Sequence, residues 1–284
     1  MYLVARGSGY PVLFLHGIPT SGALWNGVIE RLSNQFQCLA VDLPGFGRSA
    51  SVPHGFRNLE DLAACIEDLR VEHRISKWHV VGHDAGCAIA VHYAHRFPDR
   101  VERLALLTPS MFPELRPFCL FEVLRKPVVG ELLAPAINLL FWNVVMRLAT
   151  PASRDRDEKV KRFRAPFRGV RGSWRLMSLL RWGNPAEVLA SIPSWLPGIL
   201  APTLILHGSK DLAVPEAFAT RARDLMPHSQ LILMESGHFL PINEPVAVAE
   251  ALAQFLGWDE RTELPSMLAA AGAALVATSE GIPR

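Results

Sequence analysis

The stretch Val80-Val81-Gly82-His83-Asp84-Ala85-Gly86-Cys87-Ala88-Ile89-Ala90, residues 80–90, decides how this chain is read. Two valines lead into Gly82-His83-Asp84-Ala85-Gly86, and a run of small, helix-compatible residues follows. A G-x-Nuc-x-G pentapeptide between an apolar strand and a helix is the signature of a nucleophile elbow, a sharp turn that lifts one side chain above the end of a sheet. The residue in that place is Asp84, so a carboxylate stands where a hydroxyl is usual. The pentapeptide alone is a weak signal, because Asp is ordinary at turns. Its flanks and its partners give it weight.

Outward from the elbow, short apolar runs alternate with helix-length segments. Residues 11–17, 36–49, 77–84, 101–109, 202–211 and 229–238 read as six buried strands with their following turns or loops, and 58–73, 85–97, 215–226 and 244–257 as helices. That alternation predicts an α/β fold, a mostly parallel doubly wound sheet with helices on both faces. Functional groups in such sheets collect at the carboxyl ends of the strands. His16, Asp42, Asp84, Asp211 and His238 all fall there. The pattern breaks between about 110 and 197, where proline is frequent, no strand is evident, and Trp142, Trp174, Trp182 and Trp195 cluster. A helical lid inserted over the strand ends fits that break. The expected division is 1–109 and 198–258 for the two parts of the core, 110–197 for the lid, and an unassigned tail at 259–284.

Composition narrows the class. A chain of 284 residues, half of them apolar and a fifth charged, can bury a large core. A net charge of +2 gives no reason to expect nucleic acid. Cys38, Cys65, Cys87 and Cys119 are scattered without a CxxC pair, which fits a reducing, cytoplasmic location and no structural disulfide. No leader peptide is visible after Met1. The most apolar stretch, 117–149, is broken by Glu122, Arg125, Lys126 and Glu131 and by prolines. It falls short of the ~20 clean apolar residues of a membrane span, and the sequence argues against membrane association. The charged run 154–175 reads first as a solvated lid helix, with a site for anionic substrate or lipid headgroups as the alternative. Histidine and cysteine spacings suit no metal, and no cofactor is predicted.

The chemistry lies in the order Asp84, Asp211, His238: nucleophile, acid, base, the chain order of α/β hydrolases. Here the resemblance is plain over residues 2–258. "HGIPTSGALW" (16–25) resembles the oxyanion-loop segment of the α/β-hydrolase fold superfamily, "DLPGFGRS" (42–49) its second marker loop, and "GHDAG" (82–86) its elbow. An Asp nucleophile resembles the branch that holds epoxide hydrolases, haloalkane dehalogenases and haloacetate dehalogenases, and "HGIP" is similar to the HGxP of the epoxide hydrolases. The family usually has one strand before residues 2–17, so the sheet is expected to be one edge strand short.

A carboxylate is ionised at neutral pH without a base, and it can attack an sp³ carbon to give an alkyl-enzyme ester. His238, oriented by Asp211, would then activate water against that ester. The backbone N–H groups of Ile18 and Ala85 would form the oxyanion hole. A hydrophobic small molecule and water are the expected partners, with Phe141, Trp142, Trp174 and Trp182 as candidate substrate contacts. Phe112, Phe118, Phe121 and Met146 add to an apolar pocket, which is usual for small organic ligands.

Bland roles stand beside these. Asp84 is a plausible turn residue, Asp211 a helix cap near Pro215, and His238 a loop residue. His16 and His83 are expected to brace the site, Asp42 to hold the Gly45/Gly47 loop, and His92 and His95 to face away. Glu114 is the alternative triad acid. The bond to be broken is less legible. Tyrosine occurs only at 2, 10 and 93, and no histidine lies in 110–197, so an epoxide oxygen finds no ordinary acid there. Ala85 stands where haloalkane dehalogenases usually place Trp and haloacetate dehalogenases Arg, and Ile18 offers only its backbone. Indole N–H groups of the lid, or Asn138, Asn143 and Asn184, are the remaining donors for a halide. Three functions therefore stay open: an alkyl-ester-forming hydrolase acting on a halide or a strained C–O bond, a carboxylic ester or lactone hydrolase in which Asp84 is a base on water, and a non-catalytic ligand receptor.

Overall fold

The structure is a computed structural model that describes residues 1–49, 58–116, 119–146, 156–181 and 184–257. Its centre is a seven-stranded sheet in the order β1-β3-β2-β4-β5-β6-β7. The strands are β1 Tyr2–Arg6, β2 Tyr10–Leu15, β3 Phe36–Asp42, β4 Trp78–His83, β5 Val101–Leu107, β6 Thr203–Gly208 and β7 Ser229–Met234. Six of them are the runs read from the sequence. The seventh, β1, pairs antiparallel with β3, Tyr2 opposite Asp42, and is largely solvent-facing. The other pairings are parallel. Val12–Leu15, all of β4 and all of β6 are buried, as expected for parallel strands covered on both faces.

Around the sheet lie α1 Asn26–Leu32, α2 Leu59–Glu72, α3 Ala85–Arg96, and, between β5 and β6, the main insertion helices α4 Cys119–Arg125, α5 Val129–Leu140, α6 Arg156–Arg164 and α7 Gly169–Leu180. After β6 come α8 Glu216–Leu225 and α9 Pro245–Leu256. A π-helical turn, Phe141–Val145, prolongs α5. Local chemistry sets several starts: the Asn58 side chain accepts from the Asp61 N–H at 2.8 Å to cap α2, and Pro245 opens α9. No strand is described between β5 and β6.

Register aligns the carboxyl ends of the strands. Leu15 lies opposite Gly82, His83 opposite Leu107, Leu107 opposite Leu206, and Gly208 opposite Met234. The residues that follow, His16, Asp84, Asp211 and His238, therefore emerge along one edge. The insertion is moored to that edge by Arg175, whose Nε donates to Gly45 O at 2.8 Å and whose Nη2 donates to Ser49 O at 3.3 Å.

Candidate active site

The elbow is built from two glycines and one strained residue. A Cβ on Gly82 would sit 2.6 Å from Gly86 O, and one on Gly86 2.5 Å from Leu15 O, so only glycine lets α3 start this close to β2 and β4. Asp84 itself sits at φ 52°, ψ −122°. Such a backbone costs about 1–3 kcal/mol and persists only where its surroundings enforce it. Here the Asp84 N–H donates to Leu107 O at 3.0 Å, and the Asp84 C=O accepts from the Cys87 N–H at 2.9 Å. The Cys87 thiol, whose pKa burial pushes far up, has Gly82 O at 3.3 Å and Leu107 O at 3.2 Å as acceptors for its single proton.

The turn aims the Asp84 carboxylate at two elements distant in sequence. Oδ2 accepts from the Ile18 N–H at 3.0 Å. Oδ1 lies 3.9 Å from His238 Nε2, beyond hydrogen-bonding range. His238 Nδ1 donates to Asp211 Oδ2 at 2.9 Å, and Asp211 Oδ1 accepts from the N–H groups of Ala213 and Val214 at 2.7 and 3.0 Å. Asp211 thus closes its own turn and orients the imidazole with two different oxygens. Burial lowers the His238 pKa, but the hydrogen bond and charge of Asp211, joined by the charge of Asp84, outweigh it and leave a net rise. Burial raises the Asp211 carboxyl, yet the His238 and backbone donors hold it below its ordinary value. An ionised Asp211 thus favours the charged imidazolium that base catalysis produces, and in the neutral ring the Nδ1 proton held by Asp211 leaves Nε2 as the acceptor.

The bracing residues are equally specific. His16 is fully buried; its Nδ1 donates to Gly17 O at 2.8 Å and its Nε2 accepts from the Leu43 N–H at 2.9 Å. Burial brings its pKa down to about 4, so it is neutral and ties the 16–20 loop to the 43–49 loop. Asp42 holds both loops as well, accepting from Gly22 N–H and Arg48 N–H, each at 2.7 Å. His83 Nε2 donates to His238 O at 2.9 Å. Because a carbonyl only accepts, the proton is on Nε2. The residue before Asp84 therefore holds the main chain of the histidine that faces it, across 155 positions of sequence.

That contact carries a prediction. His83→Phe removes a buried donor and leaves His238 O unsatisfied, a cost of about 1–3 kcal/mol, or about 5–150-fold if it falls on the transition state. His83→Gln, which retains a donor, is expected to recover most of the rate. Steady-state rates and melting temperatures of the two variants, measured side by side, check this.

The remaining sequence candidates fall elsewhere. Glu114 pairs with Arg221 at 2.9 Å on the surface and does not meet His238. His92 Nε2 contacts Glu60 Oε2 at 2.9 Å, and His95 stacks on Trp195 at 5.1 Å, so both lie on the far side of α3. Trp195 is therefore packed on α3. Trp142 is fully buried and stacks on Phe167 at 5.9 Å, with Phe141 edge-on to it at 5.3 Å. Phe167 meets Phe46 at 6.2 Å, and Phe46 meets His16 at 5.3 Å, so an unbroken line of rings leads from His16, in the 16–20 loop, to Trp142. The Trp142 indole N–H is buried with no hydrogen-bond partner among the described residues. Trp174, half exposed, lies outside that line, while Trp182 and Phe118 lie outside the described residues. Asn138 braces α5 against α7 through Phe167 O and Ser173 Oγ; Asn143 accepts from Arg164, and Asn184 donates to Glu187. Phe46 and Phe167 were not foreseen. Only Phe46 carried a signal, its place within "DLPGFGRS".

Sheet order, elbow and the Asp84/Asp211/His238 set define the class, and the profile of the α/β hydrolase fold matches residues 10–245, so the chain belongs to the α/β-hydrolase fold family. Within it the chain is haloalkane-dehalogenase-like. It is 30% identical to a haloalkane dehalogenase of Mesorhizobium japonicum over 90% of this chain and 87% of that one. A haloalkane dehalogenase from Bradyrhizobium elkani USDA94 superposes with a TM-score of 0.75 at 26% identity, covering 96% of this chain and 94% of that one. A cis-3-alkyl-4-alkyloxetan-2-one decarboxylase of Shewanella oneidensis is 26% identical over 84% of this chain and 80% of its own length.

Proposed function

We propose that the protein is a hydrolase in which Asp84 attacks an sp³ carbon of a hydrophobic small molecule and becomes its alkyl ester, which water activated by His238 then cleaves. The supporting observation is the division of labour between the two Asp84 oxygens: Oδ2 is held by the Ile18 N–H, and Oδ1 is free and faces His238. In the first step Oδ1 bonds to carbon and the carbon–X bond breaks, with X leaving as an anion. In the second, His238 Nε2 takes a proton from water as the water oxygen attacks Cγ of Asp84. The negative charge that develops on Oδ2 already has the Ile18 N–H at 3.0 Å, with the Ala85 N–H as its proposed second donor. Collapse expels the alcohol, which takes the proton from His238, and leaves Asp84 as the carboxylic acid, whose proton then passes to solvent to restore the carboxylate.

The insertion limits X. Without His or Tyr in 110–197, the ordinary side-chain acids that would protonate an alkoxide are missing, so X is a group stable as an anion, a halide first of all. The unpartnered Trp142 N–H is the proposed halide donor, with Phe141 beside it as apolar lining. A second leaving group satisfies the same condition. An oxetan-2-one opened at its ring C4 expels a carboxylate, and Ala85 in place of an indole favours this strained lactone as the alternative substrate class. It is the class named for the Shewanella relative.

Turnover of haloalkane, epoxide and oxetanone panels in ¹⁸O-water tests the proposal. Asp84 is expected to acquire ¹⁸O, read from the mass of the peptide that carries it, because solvent oxygen enters Cγ in every cycle. Turnover with an unlabelled Asp84 would assign the carboxylate as a base on water instead. The acid limb of kcat supplies a further prediction. His238 must be neutral to act, and its pKa is raised, so activity is expected to be lost as pH falls through a value above the ordinary imidazole value of about 6.5. A pH–rate profile of the hydrolytic step reads this directly.

A further inference from the structure

Nine of the seventeen large apolar side chains exposed among the described residues lie on two neighbouring insertion helices and the turn that opens α5. Val129, Leu132, Leu133, Leu139, Leu140 and Val144 form a stripe at helical spacing along α5 and its π-helical extension, with Leu132 75% exposed. The opposite face of α5 is already spent on the α7 contact through Ala134, Ile137 and Asn138. A helix apolar on all sides belongs in a core or in lipid. On α7, Val170 and Trp174, one turn apart, are both about half exposed.

Charge selects what covers this face. Residues 110–197 contain fourteen Lys and Arg against seven Asp and Glu, a net +7, while the whole chain carries +2, so everything outside the insertion sums to −5. Cationic groups frame the stripe. Arg164 reaches Asn143 at its C-terminal end, Arg181 reaches Glu131 at its N-terminal end, and Lys126, Arg168 and Arg171 are exposed. A second copy seated on the same face would set +7 against +7. Gly257, the last described residue, is beside Phe36, the first residue of β3, whereas the insertion covers the strands' carboxyl ends.

We propose that the α5/α7 face of the insertion docks on an anionic lipid surface. The apolar stripe and Trp174 enter the headgroup boundary, and the surrounding Arg and Lys side chains engage the phosphates. Contact is peripheral, since no helix among the described residues is long and apolar enough to cross a membrane. The sequence argued against membrane association because it shows charged residues interrupting 117–149. The fold gathers the apolar ones on one side.

Flotation of the full chain with vesicles tests this. The protein is expected to float with phosphatidylcholine vesicles containing about a third phosphatidylglycerol, to float weakly with phosphatidylcholine alone, and to be released by high salt. Leu132→Asp with Leu139→Asp is expected to weaken binding about tenfold or more at an unchanged melting temperature, because both side chains are exposed. Trp174→Ala, a milder change, is expected to weaken it in the same direction. Three results would overturn the proposal: no flotation with anionic vesicles, flotation indifferent to these substitutions, or a concentration-dependent dimer that they dissolve. Flotation that appears only after residues 258–284 are removed would likewise overturn it, by assigning the face to the tail.

Discussion

Asp84→Asn is expected to abolish turnover, with a loss of about 10⁴-fold or more, because an amide neither attacks carbon nor carries the ester forward. The fold should hardly notice. The backbone at φ 52° suits Asn as well as any side chain other than glycine, and an Asn side-chain oxygen can still accept from the Ile18 N–H. Loss of rate with an unchanged or slightly raised melting temperature therefore separates chemistry from folding. Activity within about tenfold of the parent would remove the carboxylate from the reaction.

Asp211→Asn has the second-largest expected effect, and a different character. The Asn side-chain oxygen can still accept from Ala213 and Val214, so the turn survives. The atom facing His238 Nδ1 becomes a donor or a neutral acceptor. Where an Asp orients a catalytic histidine, this change costs about 10⁴-fold, mainly through the wrong tautomer. The deficit should fall on ester hydrolysis and spare alkylation, because only the second step uses His238. Removing the group that raises the His238 pKa should also move the acid limb of the residual activity downward. Pre-steady-state kinetics with a chromogenic substrate resolves the two steps. A defect confined to the first step would contradict the assigned roles.

The parts legible in the sequence were those written in local backbone chemistry. Gly82 and Gly86 announce the elbow because no side chain fits against Gly86 O or Leu15 O, and the apolar runs announce the strands. The order Asp84, Asp211, His238 foretold residues that register brings to one edge. Contacts made through space were silent. Nothing near His83 indicates that its imidazole meets His238 O, and nothing in "FPEL" (112–115) shows that Glu114 turns to Arg221. The insertion was the least legible part. Its tryptophans look alike in sequence, yet Trp142 is buried beside Phe167 and Trp174 stands half in solvent. Composition reports that α5 is apolar, and only packing reports which side of it is left uncovered.

The most direct test of the central claim is the intact mass of a His238→Gln variant incubated with haloalkanes. Alkylation does not need the imidazole, whereas hydrolysis does, so the ester should accumulate. The predicted spectrum shows a stoichiometric adduct equal to the substrate less HX, mapping to Asp84. Release of product by the parent enzyme, with no adduct on the variant, would contradict the account and make Asp84 a base on water.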